Sequence, residues 1–202
     1  ITGAGGAFSG GADIKEFGTD KSLQEPNLLS VIAAIENSAK PVVAAMHSVA
    51  MGGGLEAALA CDLRIAEVQV LMGLPEAAVG LLPAGGGTQQ LPWLVGEAWA
   101  KRIILCGERL DAATAQTIGL VEQVVPTGTS VHAALALAEQ VSRQSPGNVV
   151  ACKKLIQAAR KKPMWQALPD ERALFVGLFG SEDQREGVEA FLQKRRPRWK
   201  NQ

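Results

Sequence analysis

Three consecutive glycines at residues 52–54 lie between a short apolar run, residues 42–46, and an apolar helical run, residues 55–60. Because glycine has no Cβ atom, this stretch permits a tight turn and lets a ligand approach the main chain closely. The first N–H groups of a helix have no partner within the helix and present a partial positive charge. The feature predicts a buried strand that leads through bare backbone into a helix start, where a developing oxyanion can bind.

Two glutamates, twenty residues apart, each lie in a glycine-rich stretch. Glu56 follows the triple glycine directly, and Glu76 ends the sequence Gly-Leu-Pro-Glu at residues 73–76. Taken singly, Glu56 is typical of an acidic first-turn residue and Glu76 of a helix start after proline. Taken together, two carboxylates beside exposed main chain are suited to general acid and base catalysis.

A third stretch, Phe-Ser-Gly-Gly-Ala-Asp-Ile at residues 8–14, is by itself typical of a strand-to-helix turn. The other two stretches are Met-Gly-Gly-Gly-Leu-Glu-Ala at residues 51–57 and the run from residue 73 through Gly80 to Gly-Gly-Gly-Thr-Gln at residues 85–89. Together the three resemble the signatures of the crotonase superfamily, the enoyl-CoA hydratases and isomerases. They occur in the family's order and spacing over nearly the whole chain, which makes the signal far stronger than any single glycine run.

The resemblance implies an α/β fold, in which strand-strand-helix turns form a crotonase-like spiral core with a C-terminal helical part. We expect residues 1–130 to form the core that holds the active site. We expect residues 131–202 to form the helical part, which packs between subunits of a homotrimer or homohexamer. Family members have further strands and a helix before this point, so we expect these 202 residues to be a fragment or a processed form.

The resemblance also implies an acyl-CoA thioester substrate, with coenzyme A as part of the substrate and with no separate cofactor or metal. It assigns acid and base roles to Glu56 and Glu76, and polarisation of the thioester carbonyl to the backbone N–H groups of Ala12 and Gly53. The expected substrate-binding residues lie on the same stretches: Ser9, Gly10, Gly11, Asp13, Gly52, Gly54, Pro83 and Gly85.

The leading hypothesis is an enoyl-CoA hydratase, a hydro-lyase that adds water across the 2,3 double bond of a 2-enoyl-CoA in fatty-acid or amino-acid catabolism. Both glutamates are present, whereas many relatives with other reactions lack one or both. The alternative is a double-bond isomerase or another crotonase-type acyl-CoA enzyme, which would share the carbonyl-binding amides and differ in its base.

Composition limits the protein class. Apolar residues make up 47% of 202 residues, which predicts a globular chain with a sizeable core. The apolar runs are too short for a membrane span, and the first residues do not resemble a secretory signal. Three widely spaced cysteines, Cys61, Cys106 and Cys152, predict buried free thiols in a reducing compartment, either a bacterial cytoplasm or the mitochondrial matrix.

Hydrophobic periodicity and chain breakers predict the order of elements. Strands are expected at residues 42–46, 63–66, 70–72 and 120–125, and helices at residues 27–37, 55–60, 88–95, 97–106, 111–119, 131–142, 147–160, 164–179 and 182–194. Ser181 and Gln184 predict a capping box. The apolar residues of the last helices fit either a neighbouring subunit or an intramolecular core: Trp165, Leu168, Phe175, Leu178, Phe191 and Leu192.

Positive charge is concentrated toward the end of the chain. Residues 151–202 have a net charge of +6 and residues 1–150 a net charge of −6. We expect the lysines and arginines at residues 153–154 and 160–162 to be solvated. The denser tail at residues 194–200 includes Trp199 and suits single-stranded nucleic acid, so RNA binding is a distant alternative. We favour charge at a trimer edge or contact with the nucleotide part of coenzyme A.

The remaining polar candidates are expected to be structural. His47 and His132 have no visible catalytic partner in the sequence, and a lone histidine is most often structural. Asp62 begins a strand and is expected to make a structural hydrogen bond. Asp13 is expected to cap a helix beside Ala12.

Overall fold

The computed structural model describes residues 1–200 of the chain, without the side chain of Leu23. Its strands are β1 (Val43–Met46), β2 (Val49–Met51), β3 (Leu63–Glu67), β4 (Leu71–Gly73) and β5 (Gln123–Val125). They form two parallel sheets, one with the order β1-β3-β5 and one in which β2 pairs with β4. Since paired parallel strands end on the same side, the segments that follow β2 and β4 leave their sheet together.

The helices are α1 (Leu28–Glu36), α2 (Gly53–Ala60), α3 (Gly87–Leu105), α4 (Ala112–Thr117), α5 (Ser130–Ser142), α6 (Pro146–Ala158), α7 (Met164–Gly177) and α8 (Glu182–Leu192). Short 3₁₀ helices cover Ile14–Glu16, Asp20–Leu23 and Glu76–Val79. All of the helices predicted from the sequence are present. α3 is bent at Gly96, whose φ of 76° is not helical, and this bend divides the two helices predicted on either side of it.

The strand predictions need two corrections. β2 was not predicted, because three residues give too little alternation to recognise. The strand expected at residues 120–125 is shorter, since only Gln123–Val125 pairs with β3. The amides of Leu120 and Val121 instead donate to the Ala115 carbonyl and close the end of α4.

Side chains cap several helices. The Asn27 side chain accepts from the amides of Leu29 and Ser30, and the Ser30 hydroxyl accepts from the Asn27 amide, which completes a capping box on α1. The box predicted at α8 is only half formed. The Ser181 hydroxyl accepts from the Gln184 amide, but the Gln184 side chain accepts from Gly180 rather than from Ser181.

The chain divides into two compact units, residues 1–38 with 42–136 and residues 39–41 with those from 137 onward. The first unit contains every strand and an apolar core around α2 that includes Met46, Leu55, Met72 and Leu91. Asp62 accepts a 2.7 Å hydrogen bond from the Val42 amide before β1, which confirms its expected structural role. The subunit-packing role expected of residues 131–202 stays a prediction, and residues 201 and 202 lie outside the described part.

The second unit consists of helices and the basic tail. Glu186 binds Arg195 through both carboxylate oxygens, and the hydrogen bonds from Arg195 lower the pKa of Glu186 to about 2. The Trp199 indole donates to the Arg143 carbonyl, and its ring lies against Gly187. The tail is therefore folded onto α8, and its tryptophan already has a packing partner.

Three predictions for individual residues, one in the first unit and two in the second, were wrong. Lys153 is buried rather than solvated, and its ammonium group donates to the Lys40 carbonyl. Cys106 and Cys152 are exposed free thiols. Only Cys61 is buried as expected, with its thiol directed at the Ala57 carbonyl.

Most of the large apolar residues named for the last helices are exposed in the single chain. The exposed fraction is 73% for Trp165, 62% for Phe175, 83% for Phe191 and 74% for Leu192. An intramolecular core is therefore the wrong interpretation for these four residues. Burial against a neighbouring subunit stays a prediction.

Candidate active site

The turn between β2 and α2 depends on the missing side chain of Gly52. Its φ of 55° and ψ of −132° are open only to glycine, and its amide donates a 2.9 Å hydrogen bond to the Gly73 carbonyl at the end of β4. The Gly52 carbonyl in turn accepts from the Glu56 amide and starts α2. A backbone hydrogen bond therefore joins the two segments that lead to Glu56 and Glu76 at the point where each segment leaves its strand.

Glu56 is almost completely buried, with 2% of the residue exposed. Its Oε1 atom accepts a 2.9 Å hydrogen bond from the Gly87 amide, the first residue of α3. A Cβ atom at Gly85 would lie only 2.9 Å from Oε2. Burial raises the pKa of Glu56, although hydrogen bonds from the Gly87 and Gly85 main chain oppose this.

Glu76 begins the 3₁₀ helix that follows β4 and lies against the same turn. A Cβ atom at Gly52 would be 3.1 Å from Glu76 Oε1. Within residues 1–200, the buried Oε2 atom of Glu76 has no hydrogen-bond partner. Burial raises the pKa of Glu76, its own backbone hydrogen bond lowers it, and the negative charge of Glu56 raises it further.

The structure therefore brings the two predicted acids to one place, with Glu56 inside α2 and Glu76 beside the turn that starts this helix. Both carboxyl groups have raised pKa values, and one has a buried oxygen that is open to a further hydrogen bond. Such a pair can hold a proton at neutral pH more readily than exposed glutamates can. The individual acid and base roles remain predictions.

The stretch at residues 8–14 runs beside β2. The Ser9 amide donates to the Val49 carbonyl, and the Ser9 carbonyl accepts from the Met51 amide, each at 3.0 Å. Gly11 has a φ of 94°, and a Cβ atom there would lie 3.3 Å from the Gly53 nitrogen. Ala12 follows Gly11 directly, so the two segments predicted to bind the thioester carbonyl lie close together, too close for a side chain at residue 11.

Ser9 joins these segments through its side chain as well. Its hydroxyl accepts from the Gly11 amide at 3.2 Å, and a Cβ atom at Gly54 would lie 2.5 Å from Ser9 Cβ. Ser9 therefore packs closely against the start of α2 at Gly54, whereas both residues were expected to bind substrate. Substrate binding by Ser9 or Gly54 stays a prediction.

The other expected substrate-binding residues differ in their surroundings. Gly10 is exposed, and no atom lies within 4 Å of the place its Cβ would occupy. Asp13 accepts from the Lys15 amide and caps the helix Ile14–Glu16, as predicted. Pro83 is buried, and its Cβ lies 2.9 Å from the position that a Cβ at Gly87 would take.

Sequence reasoning missed the contribution of α1 to the site. Leu28 Cδ2 lies 2.7 Å from where a Cβ atom of Gly53 would be, and Ile32 Cδ1 lies 2.5 Å from the corresponding point at Gly85. Both residues lie in the helix predicted at residues 27–37 and recur at helical spacing. Their spacing of four residues indicates a buried face, but nothing in it shows that the face covers glycines of the site.

The remaining polar candidates lie apart from the two acids. His47 Nε2 is 3.1 Å from the Gly5 carbonyl oxygen, and His132 lies exposed on α5. Among residues 1–200, no three His, Cys, Asp or Glu side chains are grouped so that they could hold a metal ion. In the same part of the chain, no helix has the length and apolar character needed to cross a membrane.

Comparison with known proteins assigns the chain to a protein family. The profile of the enoyl-CoA hydratase/isomerase family matches residues 1–202. The chain belongs to this family. Among its relatives, the 2,3-dehydroadipyl-CoA hydratase of Escherichia coli is 38% identical over 206 residues, which cover 99% of this chain and 79% of that protein.

Solved structures of other proteins resemble this family member closely. DspI of Pseudomonas aeruginosa is 54% identical with a TM-score of 0.93, over 98% of this chain and 78% of that chain. The crystal structure of an enoyl-CoA hydratase from Bacillus anthracis is 35% identical with a TM-score of 0.92, over 100% of this chain and 80% of that chain. These matches confirm the predicted family and the crotonase-type α/β fold.

Proposed function

We propose that this chain is an enoyl-CoA hydratase that adds water across the 2,3 double bond of a 2-enoyl-CoA thioester. The observation that supports this most directly is that two acids lie near each other: the buried Glu56 in the first turn of α2 and the half-buried Glu76 against the Gly52 turn that starts this helix. Membership of the enoyl-CoA hydratase/isomerase family is consistent with this reaction. Coenzyme A is part of the substrate, and the proposed steps use only protein groups, substrate and water.

The thioester carbonyl is bound by the backbone N–H groups of Ala12 and Gly53. Two donors directed at one oxygen draw electron density from the conjugated double bond and stabilise the enolate that forms. The close approach of Gly11 to the start of α2 supports this assignment, because a Cβ atom at Gly11 would lie 3.3 Å from the Gly53 nitrogen. Loss of one such donor typically reduces the rate by about a hundred- to a thousandfold.

The two acids then divide the work of hydration. Water is held between Glu56 and Glu76, its hydroxyl adds to C3, and the proton that it loses passes to the Glu76 carboxylate, which holds it for transfer to C2 of the enolate. Glu76 delivers a proton to C2 and takes one from water, while Glu56 orients the water and acts as the partner base. The raised pKa of Glu76 supports its role as the proton donor, because a protonated carboxyl is needed for this step.

Steady-state hydration of crotonyl-CoA by the wild-type chain, Glu56→Gln and Glu76→Gln tests this proposal. Each substitution is expected to lower kcat by about a hundredfold or more, since it removes an acid-base group and keeps its shape. Glu139→Gln is the matched control, because Glu139 is an exposed residue of α5 and is expected to be silent. A near wild-type rate in either site variant would contradict the assigned roles.

The family description includes isomerases, so a double-bond isomerase is the second candidate. The Ala12 and Gly53 amides would serve either reaction, because both pass through an enolate. Chromatography of the products distinguishes the two. A shifted double bond without added oxygen would favour the isomerase, and a 3-hydroxyacyl product would favour the hydratase.

The biological setting is part of the same proposal. We expect a homotrimer or homohexamer that acts in fatty-acid or amino-acid catabolism, in a bacterial cytoplasm or the mitochondrial matrix. The exposed apolar residues of α7 and α8 support assembly, and sedimentation velocity would measure it. The packed position of Trp199 argues against a stacking role in RNA binding, and absence of a gel shift at low salt would exclude that alternative.

A further inference from the structure

Residues 85–87, which we call the glycine turn, have two sides. Gly85 and Gly87 face the Glu56 carboxylate, since a Cβ atom on either would lie 2.9–3.0 Å from one of its oxygens. Gly86 faces the other way, and its φ of 101° turns it toward Gln90. A Cβ atom at Gly86 would lie 3.3 Å from Gln90 Nε2. The turn is thus enclosed between the Glu56 carboxylate and the Gln90 amide.

The Gln90 side chain is held by one strong hydrogen bond. Its Nε2 atom donates at 2.6 Å to Oε1 of Glu36, the last residue of α1. Gln90 is only 8% exposed, and within residues 1–200 its buried Oε1 atom has no hydrogen-bond partner. An apolar side chain of similar size would avoid this unpaired oxygen, so stability alone does not account for an amide here.

The same helix also supports the glycine turn by an apolar contact. Ile32, one helical turn before Glu36, has its Cδ1 atom 2.5 Å from where a Cβ of Gly85 would be. Helix α1 therefore meets the turn at two points, through Ile32 at Gly85 and through the Glu36–Gln90 hydrogen bond beside Gly86. On its other side, the glycine turn donates the Gly87 amide to Glu56.

We propose that Gln90 is a positioning residue for Glu56, which fixes the glycine turn against α1 through its hydrogen bond to Glu36. This inference rests on the proposed function only for its catalytic consequence. Without the bond, the turn can move away from Glu56, and the carboxylate loses the fixed direction that its chemistry needs. A small misplacement of a reacting group is enough to lower a rate severalfold to a hundredfold.

The test uses Gln90→Leu, Glu36→Ala and the exchanged pair Glu36→Gln with Gln90→Glu. The exchanged pair restores an amide–carboxylate hydrogen bond with donor and acceptor reversed. Gln89→Leu is the control, because Gln89 is an exposed neighbour that donates only to the adjacent Thr88 hydroxyl. For each variant we would measure kcat and KM with crotonyl-CoA, together with deuterium uptake of a peptide that covers residues 84–90.

We expect Gln90→Leu and Glu36→Ala to lower kcat by about tenfold with little change in KM, and the exchanged pair to recover most of the loss. Deuterium uptake over residues 84–90 should rise in both single variants and not in Gln89→Leu. Should Gln90→Leu fail to fold, Glu36→Ala decides the question, since it alters a partly exposed helix end.

Unchanged uptake and unchanged kcat in an active enzyme would overturn the positioning role. So would a loss of kcat in Gln89→Leu equal to that in Gln90→Leu. If the wild-type chain does not hydrate crotonyl-CoA but uptake still rises in Gln90→Leu, the proposed function fails and the positioning of the turn stands. The exchange measurement thus separates the two proposals.

Discussion

The first amide of α3, that of Gly87, donates a hydrogen bond to Glu56, a residue of α2 that precedes it by 31 positions. A helix start has free N–H groups and a partial positive charge, and here one of them serves a buried carboxylate. This bond opposes the effect of burial, which raises the pKa of Glu56. The ionisation of Glu56 therefore depends on where α3 begins.

Gly87→Ala is expected to disturb this bond directly. The new Cβ atom would lie 2.9 Å from Leu74 Cδ1 and Pro83 Cβ and 3.0 Å from Glu56 Oε1, so the carboxylate has to move. We expect kcat to fall at least tenfold and the free energy of unfolding to fall by about 1–3 kcal/mol. Gly147→Ala on α6, where no atom lies within 4 Å, should change neither quantity in enzyme assays and urea unfolding.

Glu76→Gln is expected to stabilise the chain as pH rises. Because the folded-state pKa of Glu76 is raised, its ionisation above the unfolded-state pKa costs folding free energy, and this cost is complete above the folded-state pKa. Glutamine removes the cost and also the repulsion of Glu56. Urea midpoints of the variant and wild type should therefore diverge, in favour of the variant, as the pH rises above the ordinary glutamate pKa of 4.5.

A constant difference in midpoint across that pH range would show that Glu76 titrates as it does in the unfolded chain. Glu139→Gln provides the comparison, because it is the same chemical change at an exposed residue of α5.

Gly54→Ala should destabilise the chain more than Gly53→Ala. At Gly54 the new methyl group would meet the Ser9 backbone oxygen at 2.7 Å, and a loop would have to shift. At Gly53 it would meet only Cδ2 of Leu28, the end of a flexible side chain. We expect Gly54→Ala to lower the free energy of unfolding by about 1–3 kcal/mol.

A double variant separates these two causes. Leu28→Ala should relieve most of the effect of Gly53→Ala and none of that of Gly54→Ala, as measured by urea unfolding. Equal losses in both glycine variants, with no relief by Leu28→Ala, would contradict the contacts described for this turn.

Arg64 offers a test of stability away from the site. The side chain is buried in β3, donates to the carbonyls of Leu120 and Cys61, and pairs with Glu122. Arg64→Ala removes the donor to the two buried carbonyls, so we expect the free energy of unfolding to fall by about 1–3 kcal/mol for each carbonyl left unpaired. Glu122→Gln, which keeps part of the hydrogen bonding, should cost less in the same denaturation experiment.

Sequence patterns predicted the helices well because their signals are local. Asn27, Asp111 and Ser181 cap helices where the sequence indicates a start. β2 was missed because a three-residue strand is defined by its partner β4 rather than by its own residues. The same limit explains the other errors. Whether Cys152 is exposed or Lys153 buried depends on what packs against α6, which a single helix pattern does not contain.

The sequence likewise predicted some residues of the site and missed others. Glu56 and Glu76 were recognised from their glycine-rich surroundings, and the structure places them beside one turn. Gln90 was not recognised, because its role depends on Glu36, which lies 54 positions earlier in the chain. A buried glutamine carries no local signal that distinguishes it from a solvent-facing one.

The hydrogen bond from the Gly52 amide to the Gly73 carbonyl has an evolutionary consequence. It involves main-chain atoms only, so once Gly52 supplies its positive φ, the origin of both acidic segments does not depend on hydrogen bonds from neighbouring side chains. Substitutions at positions farther from this turn can then accumulate without altering where the two acidic segments begin. A scaffold of this kind can diversify its substrates while its chemistry stays constant.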